Sequence, residues 1–148
     1  MSTVGDNPRT LVVERVFAHS PEKLWRALTE SPLLAQWMMA NDFEPVVGHR
    51  FQFRREPLPQ WNGIVDCEVT VVEPLQRLVY SWGIGGGAAG GGLQWVIEWT
   101  LTPAEGGTLV RMEQSGFGLE QKANYQGAKY GWQKFFANLE CTLGGLEG

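Results

Sequence analysis

Cysteine is scarce in this chain: Cys67 and Cys141 are the two present, with no C-x-x-C spacing, so neither a disulfide scaffold nor a thiolate metal knuckle is expected. Histidine is equally rare. His19 and His49 lie thirty residues apart, and neither sits in a metal-ligand pattern. Positive charge is in deficit, with 12 Lys and Arg against 16 Asp and Glu and a net charge of −4. The basic residues are scattered, and their densest group, Arg50, Arg54 and Arg55, reads as the solvated face of a strand. Nucleic acid is therefore not expected as a partner, because phosphate binding needs concentrated positive charge. Long apolar runs are missing too. None approaches the ~20 residues of a membrane-spanning helix, so membrane insertion is not expected. Met1 to Arg9 is polar and lacks the hydrophobic segment of a signal peptide, from which a cytoplasmic location is expected.

What the chain does have is tryptophan, seven in 148 residues, and one aromatic helix pattern. From Tyr125 onward, Tyr125, Ala128, Trp132, Phe135, Phe136, Leu139 and Leu143 recur at helical spacing and form a single apolar stripe. Between Met39 and that stripe there is almost no helical pattern. The length suits one domain able to bury roughly 70% of its unfolded surface. The expected organisation is a polar tail over 1–8, a domain over 9–144 and a short tail over 145–148.

Leu11 to Phe17 reads as a first strand. Ser20-Pro21-Glu22 then makes a helix start: a capping hydroxyl, a proline suited to the first helical position, and a carboxylate at the positive end. A second start follows at Ser31-Pro32, giving two short helices with Leu24, Trp25, Leu28, Leu33, Leu34, Trp37 and Met38 as apolar faces. From Gly48 the period changes to two. Phe51 and Phe53 alternate with polar neighbours, as do Val65, Cys67, Val69 and Val71. Leu78, Tyr80 and Trp82 share a face, as do Trp95, Ile97, Trp99 and Leu101, and Val110, Met112 and Gln114. The expectation is an α+β fold of about six to seven antiparallel strands in a curved sheet, two short helices after the first strand, and a long C-terminal helix over the sheet. The tract Gly85 to Gly92 joins two strands as a hairpin tip, or as a lid over a cavity mouth. It is not a phosphate loop, since no Lys-Ser/Thr and no helix follow it.

Ala18-His19-Ser20-Pro21 with Trp25, Leu28, Thr29 and Trp37 resembles the opening signature of the activator of Hsp90 ATPase homologue 1-like family. The likeness continues through Gly48-His49-Arg50-Phe51, Gly63-Ile64-Val65, Val72-Glu73-Pro74 and Arg77-Leu78-Val79-Tyr80-Ser81-Trp82. It resumes at Gly107-Thr108, Ser115-Gly116-Phe117 and Gly131-Trp132. The resemblance implies a helix-grip fold of the START-like, Bet v 1-like superfamily, with an apolar cavity between the sheet and the last helix. It also implies small hydrophobic or aromatic ligands, and a kinship with polyketide cyclases and aromatases. Two departures stand out: the glycine tract, and Gln114 where many relatives carry a histidine before Ser-Gly.

The candidate binding residues are Trp37 at the end of the second helix, Tyr80, Trp82, Trp95, Trp99, Met112 and Gln114 on the sheet, and Trp132, Phe135 and Phe136 on the last helix. Rings around a cavity suit a planar apolar ligand, through offset stacking and burial together. The same rings can equally fill a core. Tyr80 and Gln114 are the polar candidates, each able to orient a ligand through one hydrogen bond. Glu98, Asp66, Glu68 and Glu113 point outward by strand alternation, so no acid–base pair is assembled and no catalytic residue is assigned. No cofactor or metal is expected, and a homodimer is left open. The leading expectation is binding of a small hydrophobic molecule, aromatic or polyketide-like. The alternatives are a cyclase or dehydratase acting on such a molecule, and a protein-interaction module related to Hsp90 co-chaperones.

Overall fold

The period-two segments form one seven-stranded antiparallel sheet, curled into a half-barrel. The computed structural model describes residues 10–59, 62–84, 93–118 and 122–146, and the glycine tract expected as a hairpin tip lies outside them. In chain order the elements are β1 (Thr10–Phe17), α1 (Pro21–Thr29), α2 (Ser31–Trp37), β2 (Ala40–Asn41), β3 (Arg50–Arg54), β4 (Ile64–Glu73), β5 (Arg77–Ile84), β6 (Leu93–Ala104), β7 (Gly107–Ser115) and α3 (Lys122–Gly144). The sheet order is β1-β7-β6-β5-β4-β3-β2, so β1 joins the far edge of the meander and the two short helices bridge its ends.

Local chemistry explains the helix starts. The Ser20 hydroxyl accepts from the Lys23 backbone N–H at 3.1 Å, with Pro21 beginning α1. The second helix starts at the expected Ser31-Pro32 pair, with Glu30 as its cap residue. Glu30 ends α1 by donating its N–H to the Arg26 carbonyl, and its own carbonyl accepts from Leu34. The Ser31 hydroxyl is used elsewhere, donating to the Asn41 carbonyl at 3.0 Å. Asn41 returns the contact by donating from Nδ2 to the Ser31 and Met39 carbonyls, which fixes the chain as it leaves α2. Here the short β2, which the periodicity does not reveal, pairs Ala40 with Arg54 and Asn41 with Phe53.

Strand alternation holds for Val65, Cys67 and Val69, and then a bulge between Val69 and Val71 shifts the register. Val72, opposite Leu78, packs on the core instead of Val71. An extra residue in one strand reverses which parity faces inward, and pattern counting cannot see it. The last helix begins at Lys122, three residues ahead of the Tyr125 that opens the apolar stripe, because Lys122, Ala123 and Asn124 carry no large apolar side chain to mark the turn. Its stripe holds as read: Trp132, Phe136, Leu139 and Leu143 are buried, and Tyr125, Ala128 and Phe135 pack half-buried beside them. Each of the four buried side chains stabilises the packing by roughly 1.5–3 kcal/mol. At the β1 margin Arg15 meets Glu140 of α3 at 3.1 Å, an exposed pair of small energetic weight.

Candidate functional site

Register places the inward side chains of three neighbouring strands in ranks. Leu78, Trp99 and Met112 lie side by side across β5, β6 and β7, Tyr80, Ile97 and Gln114 form the next rank, and Trp82 lies opposite Trp95. Across this face runs α3. Trp99 is the hub of the packing, with no solvent exposure. Its ring centroid lies 5.6 Å from Trp37, 5.6 Å from Trp132 and 5.8 Å from Phe136. These are ordinary distances for edge and stacked aromatic contacts, so the centre of the interior is filled by its own rings.

The polar atoms in this centre are already engaged. The Trp99 Nε1–H donates to the Tyr80 hydroxyl at 2.9 Å, the Trp132 Nε1–H donates to the Gln114 Oε1 at 2.7 Å, and the Trp37 Nε1–H donates to the Ala27 carbonyl at 2.9 Å. Tyr80 and Gln114 thus each satisfy an indole that would otherwise be buried without an acceptor. Two rings without periodic neighbours complete the aromatic mass. Phe43, in the β2–β3 connection, packs edge-on against Phe51 at 5.0 Å and against Tyr80 at 6.2 Å. Phe117, just after β7, lies 5.4 Å from Trp95 and 5.3 Å from Tyr125 and closes the interior beside the start of α3. Sequence periodicity passes over both, though Phe117 belongs to the Ser115-Gly116-Phe117 piece of the family resemblance. Neither belongs to an alternating run, and apart from that piece only their apolar character inside a loop marks them.

The packing opens on one side. A cavity of about 510 Å³, widely open to solvent, lies where the end of α2, the end of β3, β5 and α3 converge, lined by Met38, Met39, Arg55, Glu56, Trp82 and Phe135. Of the ten candidate residues, Trp82 and Phe135 line this cavity, and Trp132 stands directly behind, 5.3 Å from Trp82 and 5.4 Å from Phe135. Trp37, Tyr80, Trp99, Met112, Gln114 and Phe136 pack together in the filled centre, and Trp95 sits at the Phe117 end. Met38, Met39, Arg55 and Glu56 are additional lining residues. Methionine suits such a wall because its flexible thioether adapts to different shapes. A second depression of about 570 Å³ lies beside the β4–β5 turn and the start of α1, lined by Pro21, Leu75, Arg77, Thr100 and Pro103 among others. It contains none of the candidate residues. Arg77 is held there by Glu98 at 2.7 Å, and this hydrogen bond raises the guanidinium pKa further.

Burial sets the protonation of two interior groups. Loss of solvent pushes the Cys67 thiol well above its ordinary value of 9.0, with Asp66 and Asp42 adding repulsion to the thiolate. It likewise pushes the Tyr80 phenol above its ordinary 10.0, against a smaller opposite effect of the Trp99 hydrogen bond. Both groups stay neutral in the folded chain while the unfolded chain ionises them. Their contribution to stability is complete below about pH 9 and is lost as pH rises past the unfolded values. In urea titrations above pH 9, the stability of wild-type protein should fall more steeply than that of Cys67→Ala, by up to about 1.4 kcal/mol per pH unit. Equal slopes would show that Cys67 reaches solvent in the folded state.

Among the described residues no three His, Cys, Asp or Glu side chains are grouped to hold a metal ion, and no helix is long and apolar enough to cross a membrane. No curated protein matches the chain. Among solved structures, protein MLL2253 from Mesorhizobium loti is 48% identical, with a TM-score of 0.85, over 95% of this chain and 100% of that one. A Rhodobacter sphaeroides protein shares the fold at 24% identity and a TM-score of 0.75, over 97% of both chains. DynU16, a protein of the dynemicin biosynthetic locus, does so at 24% identity and a TM-score of 0.76, over 93% of this chain and 48% of its own. The family model described as activator of Hsp90 ATPase homolog 1-like protein matches residues 18–144. With the helix-grip architecture and a match over most of its length, the chain belongs to the activator of Hsp90 ATPase homologue 1-like family.

Proposed function

We propose that this protein binds a small hydrophobic molecule, aromatic or polyketide-like, between its sheet and its C-terminal helix. The carrying observation is the cavity of about 510 Å³ whose walls are Met38, Met39, Trp82 and Phe135. Its size lies within the range of ordinary small-molecule sites, and its lining combines apolar walls with few polar groups, as such sites do. Trp82 offers a half-buried indole face for stacking, backed by Phe53 at 5.5 Å and Trp132 at 5.3 Å, so the face is held in place before a ligand arrives. Family membership supports the same reading, since helix-grip relatives use this interior for small apolar molecules.

Binding without catalysis is the reading favoured here. The hydroxyl of Tyr80 is fully buried against Trp99, the Gln114 oxygen is taken by Trp132, and neither residue lines the cavity. A general acid or base must reach the substrate by hydrogen-bond distance or through one water.

The neutral fluorophore N-phenylnaphthylamine tests the proposal without invoking charge. Its emission should rise saturably on titration with the protein. Trp82→Ala should weaken binding about tenfold, the effect of withdrawing some ~60 Å² of contact at ~25 cal/mol per Å². Trp82→Leu, which keeps an apolar wall, should lose less. Circular dichroism would confirm that both variants fold. Unchanged affinity in a folded Trp82→Ala variant, or no saturable binding by wild type, would overturn the proposal.

A further inference from the structure

The cavity has apolar walls but a charged lip, formed by Arg55 and Glu56 immediately after β3. Arg55 is positioned from two sides. Its backbone N–H donates to the Gly63 carbonyl at 2.9 Å, and its Nε–H donates to the Glu56 carbonyl at 3.3 Å. The two terminal amino groups have no carboxylate within 4.0 Å among the described residues, whereas Arg15, Arg26, Arg50, Arg77 and Arg111 each have at least one. The neighbouring Arg54, outside the cavity lining, donates from its guanidinium to the Gln52 side-chain Oε1 at 2.6 Å. The lip therefore carries one arginine without a carboxylate partner beside one glutamate.

Depth decides where the polar end of an occupant must lie. Behind Trp82 the rings of Phe53 and Trp132 close the way at 5.5 Å and 5.3 Å. A ligand resting on Met38, Met39, Trp82 and Phe135 cannot pass further in, so its polar group stays at the lip beside Arg55. A guanidinium with two free parallel N–H groups matches a carboxylate in shape as well as in charge.

Resting on the binding reading above, we infer that the ligand is an amphiphilic carboxylate: a compact apolar or aromatic body in the cavity and a carboxylate on Arg55. Glu56 opposes this charge from the same lip and limits the preference to a modest factor.

Naphthaleneacetate and its neutral amide, which share one apolar body, test the inference by calorimetry at neutral pH and low ionic strength. Wild-type protein should bind the acid about five- to tenfold more tightly than the amide, the scale of one charge-assisted contact at a solvated lip. Arg55→Gln should abolish this preference by weakening the acid far more than the amide, and Glu56→Gln should widen it. Equal saturable binding of acid and amide to wild type would overturn the carboxylate assignment and leave the pocket reading intact. So would an unchanged preference in Arg55→Gln. Loss of both probes in that variant would make Arg55 a structural residue and likewise overturn the assignment. Absence of saturable binding by either probe to wild type would remove both readings.

Discussion

Replacing Trp99 with alanine should cost about 3–5 kcal/mol of folding stability, the range for deleting a large aromatic ring from a close-packed core. The ring is fully buried and touches Trp37 of α2 and both Trp132 and Phe136 of α3. Those partners are themselves held by hydrogen bonds to Ala27 and Gln114 or by the helix stripe, so they cannot collapse into the space. The substitution also strips the Tyr80 hydroxyl of its indole donor in a fully buried setting. For a chain of this length the midpoint of thermal unfolding should drop by roughly 6–20 °C. Trp99→Phe keeps most of the ring and should fall in between. Thermal and urea melts decide the matter, and the result bears on function as well as stability. A cost below about 1.5 kcal/mol would mean that the ring lines open space, which would move the binding cavity to the centre of the sheet.

Gly63→Ala should cost about 2–4 kcal/mol through the backbone. The residue holds a φ of +83°, which an L side chain adopts only at a cost of about 1–2 kcal/mol. A Cβ there would also stand 2.3 Å from the Arg55 carbonyl oxygen, a main-chain atom that cannot turn aside as a side chain would. The strain falls on the strand pairing that positions Arg55, since the Gly63 carbonyl accepts the Arg55 N–H. Gly127→Ala supplies the contrast. That glycine is exposed within α3, has no atom within 4 Å of an added Cβ, and should gain about 0.5–1 kcal/mol from the substitution. Urea melts of both variants check the pair. A neutral Gly63→Ala would show that the β3–β4 connection shifts freely, and with it the cavity lip.

Sequence periodicity carries far for elements that pack through one face. The alternation of Trp95, Ile97, Trp99 and Leu101, and the helical spacing from Tyr125 to Leu143, reappear as the two surfaces that meet in the interior. It carries less far wherever a single residue departs from the repeat. The bulge after Val69 exchanges Val71 for Val72, the two-residue β2 is too short to show a period, and Phe43 and Phe117 act from connections. For the candidate site, spacing identifies which rings face inward. It does not say which of them touch each other and which face a ligand.

That distinction separates the two levels. By itself the sequence determined the class of fold, the order of its elements, the inward faces of β5, β6, β7 and α3, and the family to which the chain belongs. These follow from local periodicity and motif order, which each segment carries independently of the others. The tertiary structure alone decided how far α3 sits from the sheet. At the distance it adopts, Trp37, Trp99, Trp132 and Phe136 meet at ring-contact separations and fill the centre, and free volume lies to the side, beside Met38, Met39, Trp82 and Phe135. A shift of one ring's thickness would turn packing into cavity. Such a distance is set by the sum of all side-chain volumes between helix and sheet, a quantity no single segment encodes.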